Sequence, residues 1–300
     1  MRQVIALGGN ALLRRGEIAS AENQRRNVTR AAAGLAAACD GIQTVLVHGN
    51  GPQIGLLALQ AEAYDAAPAY PLDMLGAESQ GMIGYVLAQE LRNARPERAV
   101  AALLTQTQVD ADDPAFQRPT KPIGPVYPPD QTLALADAHG WSFAADGAGQ
   151  RRVVPSPVPK QVIEQDTIES LMSAGTLVIC GGGGGIPVTL DANGYLRGVE
   201  AVIDKDLVAA LLAIHLDADR LVILTDVDGV YRDWGGPGAA RLAEIRASDG
   251  SEHDYAEGSM GPKVRAARQF ALATGRDALI GALDEVASVL AGASGTRVTP

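Results

Sequence analysis

Lysine is scarce in this 300-residue sequence, which carries most of its positive charge on arginine. Of 25 basic residues only four are lysines: Lys121, Lys160, Lys205 and Lys263. They occur in Pro-Thr-Lys-Pro, Pro-Val-Pro-Lys, Asp-Lys-Asp and Gly-Pro-Lys, which are turn or junction sequences. A compact ammonium group fits places that a wide planar guanidinium does not. We therefore expect these lysines to have a chemical role.

Cysteines and long apolar runs are also few. No run of about 18 apolar residues occurs, so we expect no transmembrane helix and no membrane partner. Cys39 and Cys180 each lie in an apolar segment, which favours buried free thiols over a disulfide or a metal site. The first ten residues are too short an apolar stretch for the core of a signal peptide. These features predict a cytoplasmic protein.

The overall charge is acidic, with a formal net charge of −10. Nucleic-acid binding needs a basic face, so this balance argues against a nucleic-acid partner. A small anionic substrate needs only a local positive site and is not excluded. The hydrophobic fraction of 47% is sufficient for the core of one large α/β domain or two modest ones.

Short apolar runs rich in Val, Ile and Leu alternate with stretches of helical character. The strand-like runs are Val4–Leu7, Thr44–Val47, Ala99–Leu104, Thr176–Cys180 and Leu221–Leu224. The helix-like stretches are Glu22–Ala38, Gln53–Ala63, Leu75–Asn93, Val162–Ala174, Leu207–His215 and Val264–Ala273. This alternation predicts a mainly parallel sheet covered by helices on both faces. Within Leu190–Arg197, Asn193-Gly194 predicts the turn of a β-hairpin.

One region, residues 112–160, interrupts the alternation with many prolines. Prolines at this density are expected to exclude regular helix and central strand. Loops of this length are usually functional or disordered. Because Tyr127, Trp141 and Phe143 give the region some apolar content, we expect an ordered, protruding lid subdomain inserted in a single domain of residues 1–300.

Three predicted strands lead into glycine-rich loops: Gly8-Gly9-Asn10, His48–Pro52 and Gly181–Gly185. In a parallel sheet, ligands collect at the carboxyl ends of the strands, and glycines let backbone N–H groups approach a phosphate. One such loop is weak evidence, whereas three favour an anion site. The chain lacks the P-loop pattern and Gly-x-Gly-x-x-Gly, which argues against a P-loop enzyme and a dehydrogenase.

Asp204-Lys205-Asp206 stands between an apolar run and a helical segment. Asp206 is placed to cap that helix. If the chain is extended here, the two aspartates point away from Lys205, so that they fix a neighbouring lysine while Lys205 reaches a phosphate.

Two further segments carry candidate ligands of a nucleotide. Thr225–Tyr231 follows a strand directly. Asp226 or Asp228 is suited to accept a hydrogen bond from a ribose hydroxyl. A plain acidic turn after the strand explains the same spacing equally well. Lys263 falls in the first turn of a predicted helix, where it opposes the helix dipole. A bound phosphate would offset that unfavourable position.

These segments together resemble the carbamate kinases of the amino acid kinase superfamily. The resemblance runs in order from Val4 to about Phe270. Its most specific pieces are Pro119–Gly124 and Val199–Asp206, and Asn10 stands where related acylphosphate-forming kinases carry a lysine. The other matching segments are Gly8–Leu12, His48–Gln53, Gly181–Val188, Thr225–Tyr231 and Gly258–Lys263.

The resemblance implies a fold and a set of partners. It implies a three-layer αβα sandwich, the amino acid kinase fold, with an open and mainly parallel sheet of about eight strands and a protruding subdomain. It also implies a homodimer, and the Leu72–Leu91 segment is apolar enough to supply an interface. The reaction would be reversible phosphoryl transfer between ATP or ADP and carbamate or carbamoyl phosphate, which makes ATP in arginine breakdown.

The resemblance also implies roles for individual residues. The substrate site would comprise Gly8, Gly9, Asn10, Gly49, Asn50 and Gly51. Lys205 and Lys263 would stabilise phosphates, Asp206 would orient lysines, and Lys121 would move in from the lid. Asp226, Tyr231, Met260 and Lys263 would lie along the nucleotide. Mg²⁺ would be held by nucleotide phosphates, with no metal site built from protein side chains. Lys160 matches a position without an assigned role, and His48 is expected to shape its loop.

Two other functions remain open at this point. A kinase of the same fold acting on another small acid, such as acetylglutamate, is disfavoured by Asn10 and Pro119–Gly124. A nucleotide-binding sensor that has lost its chemistry is disfavoured by the presence of Lys121, Lys205 and Lys263.

Overall fold

The structure is a computed structural model that describes residues 1–13, 17, 18, 20–64, 69–249, 255 and 260–300, with the side chains of Asn10 and Ala11 outside that description. Its strands are β1 (Arg2–Leu7), β2 (Gln43–His48), β3 (Val100–Ala102), β4 (Gln106–Val109), β5 (Lys121–Tyr127), β6 (Ser142–Asp146), β7 (Gly149–Val154), β8 (Pro159–Val162), β9 (Leu177–Ile179), β10 (Ile186–Leu190), β11 (Leu196–Gly198), β12 (Arg220–Thr225), β13 (Val230–Arg232), β14 (Ala240–Leu242), β15 (Glu244–Arg246), β16 (Ala278–Ala282) and β17 (Thr296–Thr299). Its helices are α1 (Gly9–Leu12), α2 (Ala21–Ala38), α3 (Gly51–Glu62), α4 (Leu72–Ala94), α5 (Pro129–His139), α6 (Gln165–Ser173), α7 (Lys205–His215), α8 (Met260–Thr274) and α9 (Val286–Leu290).

The main sheet has eight strands in the order β15-β17-β16-β12-β1-β2-β9-β3. Every neighbouring pair is parallel except β16 with β17. The predicted mainly parallel sheet of about eight strands is therefore confirmed. Its central strands read as continuous apolar runs because both faces are covered.

Helices cover the two faces of this sheet and form a core on each. Successive side chains of a strand point to opposite faces. In β1, Val4 and Ala6 pack with α6, α7 and α8, whereas Ile5 and Leu7 pack with α2, α4 and α9. Burying one such aliphatic side chain stabilises the fold by about 1.5–3 kcal/mol. The three-layer arrangement follows from this alternation.

Both cysteines lie in these cores, as predicted. Cys39 and Cys180 are buried free thiols. Burial raises the pKa of Cys39 to about 11, which is partly opposed by a hydrogen bond with Thr44. The pKa of Cys180 is also raised, chiefly by burial. Neither thiol is therefore a ready nucleophile at neutral pH.

The predicted hairpin is confirmed. Strand β10 pairs antiparallel with β11, and Gly194 at the turn has a φ of +78°. The Asp191 carboxylate accepts hydrogen bonds from the backbone N–H groups of Asn193 and Tyr195, which closes the turn. Strands β11, β10, β4 and β8 form a second sheet beside the main one.

The proline-rich region contains regular structure, so the expectation that its prolines exclude regular helix and central strand is wrong: α5 is a helix, and β7, which has no proline, is a central strand. Strands β5, β7 and β6 form a separate three-stranded antiparallel sheet, and α5 is 11 residues long. Pro129 occupies the first turn of α5, where a missing N–H costs no hydrogen bond. Pro122 and Pro125 lie in β5, an edge strand with a register shift between Ile123 and Val126, where proline is tolerated.

A small third core joins the three-stranded sheet to the rest of the chain. Ile123 of β5 and Val154 of β7 pack with residues of α3 and the start of α4. At this junction Gly55 of α3 lies so close to Gly124 that a Cβ on Gly55 would overlap the Gly124 backbone. Gly124 itself has a φ of +71°.

This close approach predicts that Gly55→Ala lowers the free energy of unfolding. We expect a loss of about 1–3 kcal/mol, because overpacking against backbone forces α3 and β5 apart. Gly81→Ala in α4 is the matched control, since nothing lies within 4 Å of its Cβ position. The control should be stabilised by about 0.5–1 kcal/mol, and urea denaturation measures both changes. Equal stabilisation of the two variants would contradict the packing described here.

No helix among the described residues combines the length and the apolar character needed to cross a bilayer.

Candidate active site

The glycine loops meet because their strands are neighbours. Strand β1 pairs in parallel with β2 and with β12, so that Leu7 lies opposite both His48 and Leu224. Parallel neighbours place their carboxyl ends at the same edge of the sheet, where ligands collect. The five-glycine segment follows β9, the next strand beside β2. The predicted position of all three loops at strand ends is confirmed.

Gly9, Gly49 and Lys205 lie in direct contact at this edge. A Cβ on Gly49 would lie 2.9 Å from the Gly9 nitrogen and 3.2 Å from Cε of Lys205. A side chain at position 49 would therefore displace either the first loop or the lysine. The glycine is required here for close approach.

Some of the loop N–H groups are already used by the sheet. Gly8 donates to the carbonyl of Leu224 at 2.8 Å, and Gly49 donates to the carbonyl of Leu7 at 3.0 Å. Gly9 and Gly51 begin α1 and α3, where the first N–H groups have no intrahelical acceptor. The N–H groups suited to an anion are therefore those at the helix starts.

The five-glycine segment, Gly181–Gly185, packs against the second glycine loop, His48–Pro52. Four of its five residues have a positive φ, which glycine tolerates without strain. A Cβ on Gly182 would overlap the ring of His48, and one on Gly183 would overlap the amide of Asn50. The glycines are thus explained by packing against the second loop, and they do not by themselves mark a phosphate site.

Helix α4 holds two of these loops through side-chain hydrogen bonds that the sequence did not reveal. Ser79 Oγ accepts from Asn50 Nδ2 at 2.9 Å. Gln80 Oε1 accepts from the N–H of Thr105 at 2.9 Å, and Thr105 Oγ1 accepts from the N–H of Gly181 at 2.6 Å. These polar residues sit within a long helix and have no local sequence signal. They were missed for that reason.

His48 is buried beside the site and shapes its loop, as expected. Its Nδ1 lies 3.0 Å from the Gly49 carbonyl, which accepts a hydrogen bond from the ring N–H. Burial lowers the pKa of His48 to about 4; the hydrogen bond to Gly49 opposes this shift and Lys205 adds to it. The imidazole is therefore neutral at pH 7.

This shift predicts a pH-dependent stability. Above pH 6.5 His48 is neutral in both folded and unfolded chains, and as the pH falls the unfolded chain takes up the proton first. Stability is therefore lost between about pH 6.5 and 4, by about 3 kcal/mol at 1.36 kcal/mol per pKa unit. In urea denaturation, His48→Gln should flatten the slope of unfolding free energy against pH in this range. An unchanged slope would contradict the assignment.

The charged centre begins with Asp204, which caps helix α7. Asp204 Oδ1 accepts from the N–H of Asp206 at 2.9 Å, and Asp204 Oδ2 lies 2.6 Å from Nζ of Lys121. The expected capping by Asp206 is therefore wrong, because α7 begins at Lys205, two residues earlier than a cap at Asp206 would place it. Lys121 belongs to β5, so this ion pair joins the three-stranded sheet to the main body.

Asp206 lies between two lysines. Its Oδ1 is 2.7 Å from Nζ of Lys205 and its Oδ2 is 3.2 Å from Nζ of Lys263. The expectation that Lys205 points away from both acids is wrong, because Lys205 and Asp206 are helical and only Asp204 is extended. The expectation that an aspartate fixes a neighbouring lysine is confirmed. Lys263 lies in the first turn of α8, as predicted.

All members of the cluster except Lys121, whose side chain is 30% exposed, are nearly removed from solvent, and their charges depend on one another. Burial alone would raise the pKa of Asp206, but Lys205 and Lys263 hold it below its ordinary value. Burial would raise the pKa of Asp204 likewise, and Lys121 and Lys205 hold it well below its usual range. Burial lowers the pKa of Lys205, whereas Asp206 and Asp204 outweigh burial at Lys263 and raise its pKa.

Lys160 stands apart from the cluster. It lies in β8, half of its side chain is exposed, and its Nζ is 2.6 Å from Oδ2 of Asp110, an exposed partner. Three of the four lysines therefore converge on one centre and the fourth does not.

Of the predicted nucleotide residues, Asp226 and Met260 lie near Lys263. Asp226 is exposed, and its charge raises the pKa of Lys263 behind the larger effects of burial, Asp206 and Asp204. The Tyr231 hydroxyl donates to Asp228 at 2.9 Å, so Asp228 already has a partner. Met260 is the first residue of α8 and packs on the core. Gly258 and Ser259 of the same motif lie outside the described residues.

The aspartates of the cluster are poorly suited to hold a metal ion. All four of their carboxylate oxygens already accept from a lysine or from a backbone N–H. Across the described ranges, no three His, Cys, Asp or Glu side chains are grouped to bind a metal. The site therefore offers three ammonium groups to an anion.

The fold and the site together define a class of phosphoryl-transferring enzymes. The profile described as the Amino acid kinase family matches residues 1–282. The carbamate kinase of Haemophilus influenzae is 54% identical over 300 residues, which cover all of this chain and 97% of that protein. The carbamate kinase of Escherichia coli K12 is 50% identical over 99% of this chain and 98% of its own length.

Solved structures agree. Carbamate kinase from Giardia lamblia bound to AMP-PNP has 42% sequence identity and a TM-score of 0.88, with 99% of this chain and 98% of that chain covered. The chain therefore belongs to the amino acid kinase family and, within it, to the carbamate kinases. It is an enzyme that transfers phosphoryl groups.

Proposed function

We propose that this enzyme transfers a phosphoryl group reversibly between ATP and carbamate, giving ADP and carbamoyl phosphate. The observation that carries the proposal is the convergence of Lys121, Lys205 and Lys263 on two buried aspartates beside the glycine loops. These five groups carry three positive and two negative charges, and the side chains of Lys205, Lys263 and both aspartates are largely buried. The Giardia relative binds an ATP analogue, and this supports a nucleotide as one substrate.

The lysines would act by stabilising charge on the transferring group. Preorganised charges in a site that excludes water need no rearrangement as the reaction proceeds. Asp206 would hold Lys205 and Lys263 in place through its two oxygens, and Asp204 would do the same for Lys121. Asp204 would thus be a positioning residue, in agreement with the expectation that the two aspartates fix a neighbouring lysine.

The remaining residues would bind the two substrates. Gly8, Gly9, Asn10, Gly49, Asn50 and Gly51 would form the side for the phosphoryl group and carbamate. Asp226, Tyr231 and Met260 would lie along the nucleotide, with Lys263 between the two sides. Mg²⁺, held through the nucleotide phosphates, would neutralise charge on them. Each carboxylate oxygen of Asp204 and Asp206 already accepts a hydrogen bond from the protein, which supports this arrangement.

The transfer would be direct, without a covalent enzyme intermediate. Phosphoryl transfer is accelerated mainly by positioning and charge stabilisation, so no protein nucleophile is needed. We further propose a cytoplasmic homodimer that makes ATP in arginine breakdown. On α4, most of the apolar residues pack inside the chain, and Met74 and Tyr85 are exposed for such an interface.

The proposal is tested by ATP formation from MgADP with three donors compared side by side: carbamoyl phosphate, acetyl phosphate and N-acetylglutamyl phosphate. We expect strong selectivity for carbamoyl phosphate, measured as kcat/KM. Preference for either of the other donors would contradict the substrate assignment. No turnover with any donor, in protein that still binds ADP, would indicate a nucleotide sensor instead.

A further inference from the structure

A cavity separate from the lysine cluster lies between the three-stranded sheet and the main body. Its volume is about 380 Å³, and its lining includes Glu62, Leu72, Trp141, Arg152 and Glu200. None of the residues assigned to phosphoryl transfer lines it. It therefore differs from the lysine cluster in both position and chemistry.

The Arg152 guanidinium is the unusual group in this cavity. Its central carbon lies 4.0 Å from the ring centroid of Trp141, so the group stacks on an aromatic face. It makes no hydrogen bond and no ion pair with any residue in the described part of the chain. Burial lowers its pKa, while Glu200 and Glu62 oppose this. A partly buried guanidinium with free N–H donors suits a carboxylate, which it binds through two parallel hydrogen bonds.

Two carboxylates of the cavity each keep one oxygen without a hydrogen bond to a described residue. Glu62 Oε2 lies 3.1 Å from Nδ1 of His139. Glu200 Oε1 accepts from the N–H of Leu72 at 3.0 Å. The second oxygens, Oε1 of Glu62 and Oε2 of Glu200, are the acceptors left for a ligand.

A ligand with only one charge fits this set of groups poorly. A simple anion would meet Arg152 but also two carboxylates, and a simple cation would meet the guanidinium. A zwitterion satisfies both kinds of group, and the apolar side chains of Leu72, Leu75 and Val153 line the remainder. We propose that this cavity binds a small α-amino acid, with its carboxylate on Arg152 and its ammonium group held by Glu62 and Glu200 together.

Isothermal titration of the whole enzyme tests this proposal directly. The probes are L-alanine, L-leucine and L-glutamine, each compared with its analogue lacking the amino group and its analogue lacking the carboxyl group. At least one amino acid should bind, and each of its analogues should bind at least tenfold more weakly. Because the site is separate from catalysis, binding should persist in Lys205→Ala and with ADP present. Binding by none of the three, or equal binding by an analogue, would overturn the proposal.

Variants assign the binding to the cavity. Arg152→Gln and Glu200→Gln should each weaken the amino acid at least tenfold. Arg197→Gln is the control, since this arginine is exposed on the hairpin and pairs with Asp191. Retained ADP binding and an unchanged circular dichroism spectrum show that a variant is folded. Unchanged amino acid affinity in folded Arg152→Gln or Glu200→Gln would overturn the assignment, and either variant suffices if the other fails to fold.

Discussion

Lys205→Ala should lower turnover about 10²–10³-fold, which is typical for removal of one preorganised electrostatic partner. Lys263→Ala should have an effect of similar size. Both ammonium groups are held by the same carboxylate, and both side chains are close to nine-tenths buried. Initial rates of ATP formation at saturating carbamoyl phosphate and MgADP measure the loss as a change in kcat.

Lys160→Ala is the matched control for these variants. It removes a lysine from the same chain, but one that is half exposed and pairs with Asp110, itself exposed. Its turnover should stay within about twofold of the parent enzyme, because exposed ion pairs contribute little. Near-normal turnover in folded Lys205→Ala or Lys263→Ala would contradict the role of the cluster.

Asp206→Asn should destabilise the fold by about 3–5 kcal/mol, the usual cost of removing one partner from a buried ion pair. The substitution keeps the size of the side chain but leaves Lys205 and Lys263 without the carboxylate that compensates their burial. Activity should fall with stability, because the two lysines lose their common anchor. Urea denaturation near pH 7 measures the first effect, and kcat measures the second.

Asp110→Asn provides the corresponding surface control. This carboxylate pairs with Lys160 at 2.6 Å, the same kind of contact in an exposed setting. Its loss should leave the midpoint of urea denaturation nearly unchanged, because an exposed ion pair contributes little to stability. An equally small loss of stability in Asp206→Asn and Asp110→Asn would contradict the stabilising role of the buried cluster.

The main sheet could be predicted because each of its central strands has a recognisable local sequence pattern. Runs such as Val4–Leu7 and Leu221–Leu224 are continuously apolar, which is the pattern of parallel strands buried on both faces. The loops at their ends were also predictable, since Gly8-Gly9 and Gly49 follow these runs directly. Contact between Gly49 and Lys205 was not, because it depends on how β1 and β2 are paired with α7.

The proline-rich region shows where local rules mislead. Proline disfavours helix interiors and central strands, yet Pro129 stands in a first helical turn and Pro125 stands at the irregularity of an edge strand. Proline is excluded where its missing N–H would break a hydrogen bond of the helix or sheet. Neither of these two positions needs that hydrogen bond. Density of proline alone does not distinguish them, whereas position within the element does.

The charged centre was half predictable. The scarcity of lysine singled out Lys121, Lys205 and Lys263 before any fold was known. The pairing could not be predicted from the sequence, because a difference of two residues in the start of α7 decides whether Asp204 or Asp206 caps it. The roles of Ser79 and Gln80 could not be predicted, because no local sequence pattern distinguishes them from other polar residues of a long helix.

The most direct test of the account is the exchange of label between ADP and ATP on the purified enzyme, measured with and without carbamate. Direct transfer between two substrates held by the lysine cluster requires both to be present. We therefore expect exchange only when carbamate is supplied, and its loss in Lys205→Ala. Rapid exchange without carbamate would show a phosphorylated enzyme intermediate and would contradict the account.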